Sequence, residues 1–165
     1  MNQDLVMRHE KVAYCKIPPS GGGAAVIKRM TGFTSFGTNR NPEEYTRKYV
    51  DEAHQTTDIT SYDTSISFAF DLFADNPVHQ YLADIIENEK LGADAIVDIY
   101  VVDFSKPVTG VADTYECAHR QMVVVPSSDG DDANVYTYSG DLRTKGDRTI
   151  GQGTLTDNEQ TLSYA

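Results

Sequence analysis

The chain has 165 residues, 14 Lys and Arg against 25 Asp and Glu, a formal net charge of −11 and 39% hydrophobic residues. That length is enough for one domain around a single core, and the acidic balance argues against a sequence-reading DNA binder, which needs a basic footprint. No window approaches about 18 consecutive apolar residues, so no membrane-spanning helix is expected, and Met1–Leu5 carries neither the basic nor the apolar region of a secretory signal, so a cytosol is the expected compartment.

Val, Ile and Thr supply 39 of the 165 residues, a bias toward strands. Residues 12–16 read as a short strand, and Pro18–Gly23 punctuates the chain with two prolines followed by three glycines. Residues 25–30 and 32–37 read as extended, and Thr38–Pro42 as a turn or loop. Tyr45–Val50 reads as a strand with Tyr45, Arg47 and Tyr49 on one face. Residues 51–62 are polar and without period, which predicts a loop. Thr64–Leu72 alternates Ile66, Phe68, Phe70 and Leu72 with Ser65, Ser67, Ala69 and Asp71, the pattern of a strand with one face on a core.

One helix is predicted, over about 76–91. Asn76 suits the N-cap, Pro77 the first helical position and Gly92 a left-handed C-terminal turn. Val78, Leu82, Ile85 and Ile86 fall in one stripe, with Tyr81 at its edge. Ala95–Phe104 is nearly all apolar and reads as a strand covered on both faces, as does Ala118–Val125. Residues 127–134 read as a solvated acidic turn. Val135–Thr144, Thr149–Thr156 and Thr161–Tyr164 read as strands, with turns at 145–147 and 157–158. The fold class expected is mainly β, a sandwich or barrel of about seven or eight strands with one flanking α-helix.

Chemical motifs are sparse. Cys15 and Cys117 are too few for a disulfide framework. The four histidines lack helical i, i+4 spacing, and Cys117-Ala118-His119 has no second ligand pair nearby. Asp129–Asp132 lacks the order of acids, and the distal Glu, of an EF-hand loop. Ser20–Gly23 does not end in Gly-Lys-Ser/Thr, and Gly151-Gln152-Gly153 leads into a strand, so neither is a phosphate loop. Asp98 and Asp103, five apart on a strand, point to opposite faces and cannot share a proton. No catalytic, cofactor-binding or metal residues are assigned, and no enzyme is expected.

Tyr45–Glu52 followed by Thr64–Leu72 and Asn76-Pro77-Val78-His79-Gln80 resembles the major tail tube proteins of tailed bacteriophages. The order continues through Ala95–Phe104, Arg120–Pro126 with its Ser-Ser-Asp-Gly turn, Tyr138-Ser139-Gly140 and Gly151–Thr156. The resemblance covers about residues 45–156 and rests on the order of elements. It implies a subunit of homo-oligomeric, hexameric rings stacked as a tail tube, in a virion assembled in a bacterial host cytoplasm. It also implies tape measure, tail terminator and baseplate or distal tail proteins as partners, and DNA passing through the lumen without specific binding. The alternatives are a monomeric β-sandwich module that binds a sugar or cation near Asp129–Asp132, and the tube of a tailocin or injection device.

Charge is uneven along the chain. Residues 1–50 hold eight basic and four acidic side chains, and residues 51–165 hold six basic and 21 acidic ones. Residues 1–44 are expected as an N-terminal arm with extended segments, partly mobile in the monomer, ahead of a β-sandwich over 45–165. The subunit-contact candidates are Val78, Tyr81, Leu82 and Ile85 on the helix, and the basic residues Lys28, Arg29, Arg40, Arg47 and Lys48, which would meet acidic surface on a neighbouring copy.

Overall fold

A computed structural model describes residues 3–165. Eleven strands and one α-helix follow in chain order: β1 (Lys11–Ile17), β2 (Val26–Arg29), β3 (Phe33–Asn39), β4 (Pro42–Arg47), β5 (Thr56–Tyr62), β6 (Ser65–Asp71), α1 (Pro77–Glu87), β7 (Ile96–Pro107), β8 (Thr114–Asp129), β9 (Thr137–Thr144), β10 (Thr149–Thr156) and β11 (Thr161–Tyr164). No helix among the described residues is long and apolar enough to cross a membrane.

Nine strands form one antiparallel sheet in the order β10-β11-β2-β1-β7-β8-β9-β6-β3, and β10 also pairs with β8. That second pairing closes β8, β10, β11, β2, β1 and β7 into a six-stranded barrel. Closure is possible because β8 is 16 residues long. Its first half pairs with β10, from Thr114 to His119, and its second half with β9, from Met122 to Asp129. The barrel is thus continuous with a wing of β9, β6 and β3. The first strands are built into this sheet: the segment expected as an arm contributes β1, β2 and β3.

Two cores lie on the two faces of the shared strands. Inside the barrel are Tyr14, Tyr100, Val102, Cys117, Leu155 and Leu162. On the other face α1 covers Phe68, Phe70, Val97, Ile99, Met122 and Leu142. Successive residues of a strand point to opposite faces, so Tyr14 and Cys15 enter different cores, as do Ile99 and Tyr100. The near-continuous apolar run of β7 follows from this two-sided burial. Gly153 of β10 faces the barrel interior, where a Cβ would stand 2.7 Å from Leu162 Cδ1 and 3.0 Å from Cys117 Cβ. The glycines of Gly151-Gln152-Gly153 therefore serve close approach.

The helix is anchored at both ends. Asn76 Oδ1 accepts from the backbone N–H groups of Val78 and His79, and Pro77 opens the first turn. His79 is fully buried; its Nδ1 accepts from Phe73 N–H at 3.1 Å, so Nε2 carries the proton and donates to Thr31 O at 2.6 Å. At the other end Tyr138 Oη donates to Glu87 Oε1. The helix ends at Glu87, four residues earlier than the sequence suggests. Lys90 N–H reaches Ile85 O, and Glu89 N–H reaches Ile86 O, the Schellman arrangement, with Glu89 at φ +49° in the place where Gly is usual. Gly92 instead opens a short 3-10 turn, Gly92–Ala95.

Two segments expected as loops differ. Thr38 and Asn39 finish β3 and Pro42 begins β4, leaving only Arg40 and Asn41 as the link. Residues 56–62, expected within a loop, form β5, which pairs only with β4. All seven residues of β5 are exposed. With no core on either side the strand has no reason to alternate, and that alternation is the signal by which strands are recognised. The count of eleven strands exceeds seven or eight for this reason, and because the segments read only as extended, now β2 and β3, are paired strands.

Two outcomes follow for stability. Replacing Glu89 by Gly relieves the left-handed conformation at C′ and should raise the free energy of unfolding by about 0.5–1 kcal/mol, read from the denaturant midpoint. Burial holds the His79 pKa below its ordinary value, outweighing the opposing pull of the Thr31 carbonyl and of Asp71. Its contribution to stability is complete above pH about 6.5 and is lost as pH falls from there through the lower folded-state pKa, at up to about 1.4 kcal/mol per pH unit. Denaturation across pH 7.5 to 5 should show this slope in the native chain, and His79→Gln should lack the component.

Candidate assembly surface

The helix stripe is spent inside the chain. Val78, Leu82 and Ile85 are 0–2% exposed and lie in the core beneath α1. Tyr81 is half-buried at the edge of that core, and burial pushes its pKa up to about 12. The outward face of α1 carries Gln80, Asp84, Glu87 and Asn88, with Asp84 taken by Lys90 and Asn88, each at 2.5 Å.

The five basic candidates are distributed over three places. Lys28 and Arg29 sit on β2 and are used within the chain, Lys28 donating to Thr161 Oγ1 at 2.9 Å and Arg29 pairing with Glu159 at 3.2 Å. Tyr14 Oη donates to the Glu159 carbonyl at 2.7 Å, so this pair also fastens the turn in which Asp157, Asn158 and Glu159 all have positive φ. Arg47 pairs with Asp58 at 2.5 Å across the β4–β5 hairpin and lies 5.2 and 5.4 Å from the ring centroids of Tyr45 and Tyr49. That shared face is the one the alternation predicts. Lys48 is exposed just beyond β4, and Arg40 is exposed between β3 and β4.

Three further surfaces stand out on the described residues. The first is the β4–β5 hairpin, which exposes Tyr45, Tyr49, Val50, Ile59 and Tyr62 and is hydrogen-bonded as a sheet only to itself. A two-stranded hairpin alone is marginal in water, and this one leaves these large apolar side chains in solvent on both of its faces. The second is β3, the free edge of the nine-stranded sheet. Its seven residues, Phe-Thr-Ser-Phe-Gly-Thr-Asn, include no charge and no proline, and its register shifts once, between Phe33 and Ser35, so from Ser35 to Asn39 the edge has no charge or proline against strand addition. The third is a groove of about 520 Å³ over the face of the sheet, with an apolar floor and arginines at its rim. Sequence reasoning did not find the second or third; an uncharged extended segment was visible in residues 32–37, but its place at an edge was not.

The remaining chemical groups are engaged locally. Cys15 and Cys117 are buried in separate cores, and burial pushes both thiols up to about 12. His119 Nε2 meets Asp98 Oδ1 at 2.8 Å while its ring stacks on Tyr100 at 4.6 Å. In the acidic turn, Asp129 accepts from Tyr136 Oη, Asp131 from Ser128 Oγ, and Asp132 from the backbone N–H groups of Asn134 and Val135, which hold its carboxyl below the usual range. No group of three or more metal-ligating side chains is gathered among the described residues.

No family model matches the chain, and no curated protein matches its sequence. Solved structures do share its fold. A chain from the tail of an empty gene transfer agent particle, refined with helical and C6 symmetry, is 12% identical with a TM-score of 0.57, covering 87% of this chain and 97% of that one. A chain from the virion of a native gene transfer agent particle is 10% identical with a TM-score of 0.58 and the same coverage. A chain from the sixfold-symmetrised baseplate structure of the anti-feeding prophage is 11% identical with a TM-score of 0.52, covering 91% and 97%. The barrel, wing and helix of this protein are thus a fold found in components of phage-like tail particles.

Proposed function

We propose that this protein is a structural subunit that assembles with copies of itself into sixfold rings, stacked as the tube of a phage-like tail that conducts DNA. The observation that carries this reading is the fold shared with 97% of a chain from a tail of C6 symmetry. The uncharged free edge of β3 and the self-paired hairpin support it, since each is costly to leave in water and each is satisfied by a neighbouring copy. Residues 51–165, with 21 acidic against six basic side chains, supply a surface that repels a polyanion, as a DNA conduit requires. Tape measure, terminator and baseplate proteins are the further partners of such a tube, in a particle assembled in a bacterial host. The engaged carboxylates of Asp129–Asp132 give a sugar- or cation-binding monomer no support.

Negative-stain microscopy and sedimentation of the purified chain over a range of concentrations test the reading. Rings or tubes are expected, and a monomer at every concentration would overturn it. The variant Ser35→Lys, Gly37→Lys places two charges on the free edge, where a Cβ at Gly37 meets nothing within 4 Å. It should unfold at the native temperature and fail to close rings.

A further inference from the structure

The groove and the hairpin tip are complementary. The floor of the groove is formed by Ala13, Ile66, Ile99, Val101, Ala118 and Met122, and its rim carries Arg8, Arg40, Arg120 and Arg148. Arg8 donates to the carbonyls of Lys11 and Phe36 at 2.7 and 3.0 Å, and Arg120 to that of Gly146 at 2.9 Å. Among the described residues none of these four guanidinium groups has a carboxylate at ion-pair distance. Four uncompensated arginines around one groove are a concentrated positive site on a chain of net charge −11.

The hairpin has the opposite character. From Pro42 to Tyr62 it holds Glu43, Glu44, Asp51, Glu52 and Asp58 against Arg47 and Lys48. At its tip, Glu52 N–H donates to Tyr49 O at 3.1 Å, a turn that presents a fully exposed Val50 beside Asp51 and Glu52. The hairpin is rooted at the groove, since Arg40 and Thr64, which flank it in sequence, both line the groove. Six residues of β4 then separate the tip from this root by about 20 Å along the strand, at roughly 3.3 Å per residue. No residue of the tip lines the groove of its own chain.

We propose that the hairpin tip, Tyr49–Glu52, of one copy seats in the groove of a second copy, with Val50 on the apolar floor and Asp51 and Glu52 against the rim arginines. This rests on the self-assembly reading and names the surfaces through which copies join. Tip and groove are different surfaces, so the contact is heterologous: each copy offers a tip and a groove, and the contact repeats until a ring closes or a stack extends. The volume of the groove falls in the range of about 300–1,000 Å³ that encloses a compact ligand.

Disulfide trapping between two single-cysteine additions tests the contact. A chain with Val50→Cys is mixed with a tagged chain carrying Thr38→Cys, an exposed position lining the groove; the native cysteines are buried. Mild oxidation at low salt should give the mixed covalent dimer, at least tenfold more than with Ser163→Cys, exposed on β11 outside the groove. Adding Arg40→Glu and Arg148→Glu to the groove chain should lower the yield at least tenfold, and Asp51→Lys with Glu52→Lys on the tip chain should restore it. Equal trapping at Ser163→Cys, or trapping indifferent to both charge reversals, overturns the proposal. So does salt-sensitive binding of a DNA oligonucleotide that the groove reversals remove while no mixed dimer forms. Tubes without a mixed dimer overturn this contact and leave the tube reading standing; the specific mixed dimer without rings or tubes does the reverse.

Discussion

Two-sided burial of β1, β7 and β8 is the constraint from which the rest of this structure follows. These strands separate a core inside the barrel from a core beneath the helix, so consecutive side chains such as Ile99 and Tyr100 contribute to different interiors. A substitution in either core is transmitted through a shared backbone, and slipping the β1–β7 register by one residue would exchange the contents of both cores at once. The register is therefore fixed twice over. The length of β8 then decides the shape, because one strand reaching past the barrel supplies the edge on which β9, β6 and β3 are built.

This constraint also explains which elements were legible in the sequence. β6 alternates because one of its faces meets a core, and β7 is apolar along most of residues 96–104 because both do. The start of the helix is encoded in Asn76-Pro77, and both residues act as their chemistry predicts. Its end was misplaced because Gly92 is a strong left-handed signal, whereas the chain turns at Glu89, where two backbone hydrogen bonds impose the conformation on a residue that does not favour it. β5 was invisible for the opposite reason to β7: it has no buried face, so its residues carry no period.

The assembly surface was less legible than the fold. The helix stripe looked like a contact surface because periodicity records burial without saying against what, and the structure gives Val78, Leu82 and Ile85 to the chain's own core. The excess of positive charge in residues 1–50 is real but largely used locally, with Arg29 on Glu159 and Arg47 on Asp58. The arginines left without carboxylates come from positions 8, 40, 120 and 148, which only the folded sheet brings together. Linear charge density cannot report a cluster of that kind.

Energetics favour many weak contacts over one strong one here. An exposed ion pair contributes at most about 1 kcal/mol, so a single tip in a single groove, with its ordering entropy to offset, holds two copies only loosely. In the proposed ring each copy would contribute one tip and one groove, and the last contact would form within an already assembled particle at a high effective concentration. Pairing along the uncharged edge of β3 would add backbone hydrogen bonds that are indifferent to salt, whereas the proposed contact at the arginine-rimmed groove would weaken as salt rises. In the proposed assembly the two surfaces would divide the work: edge pairing would supply strength, while the charged contact would supply orientation and reject mismatched neighbours.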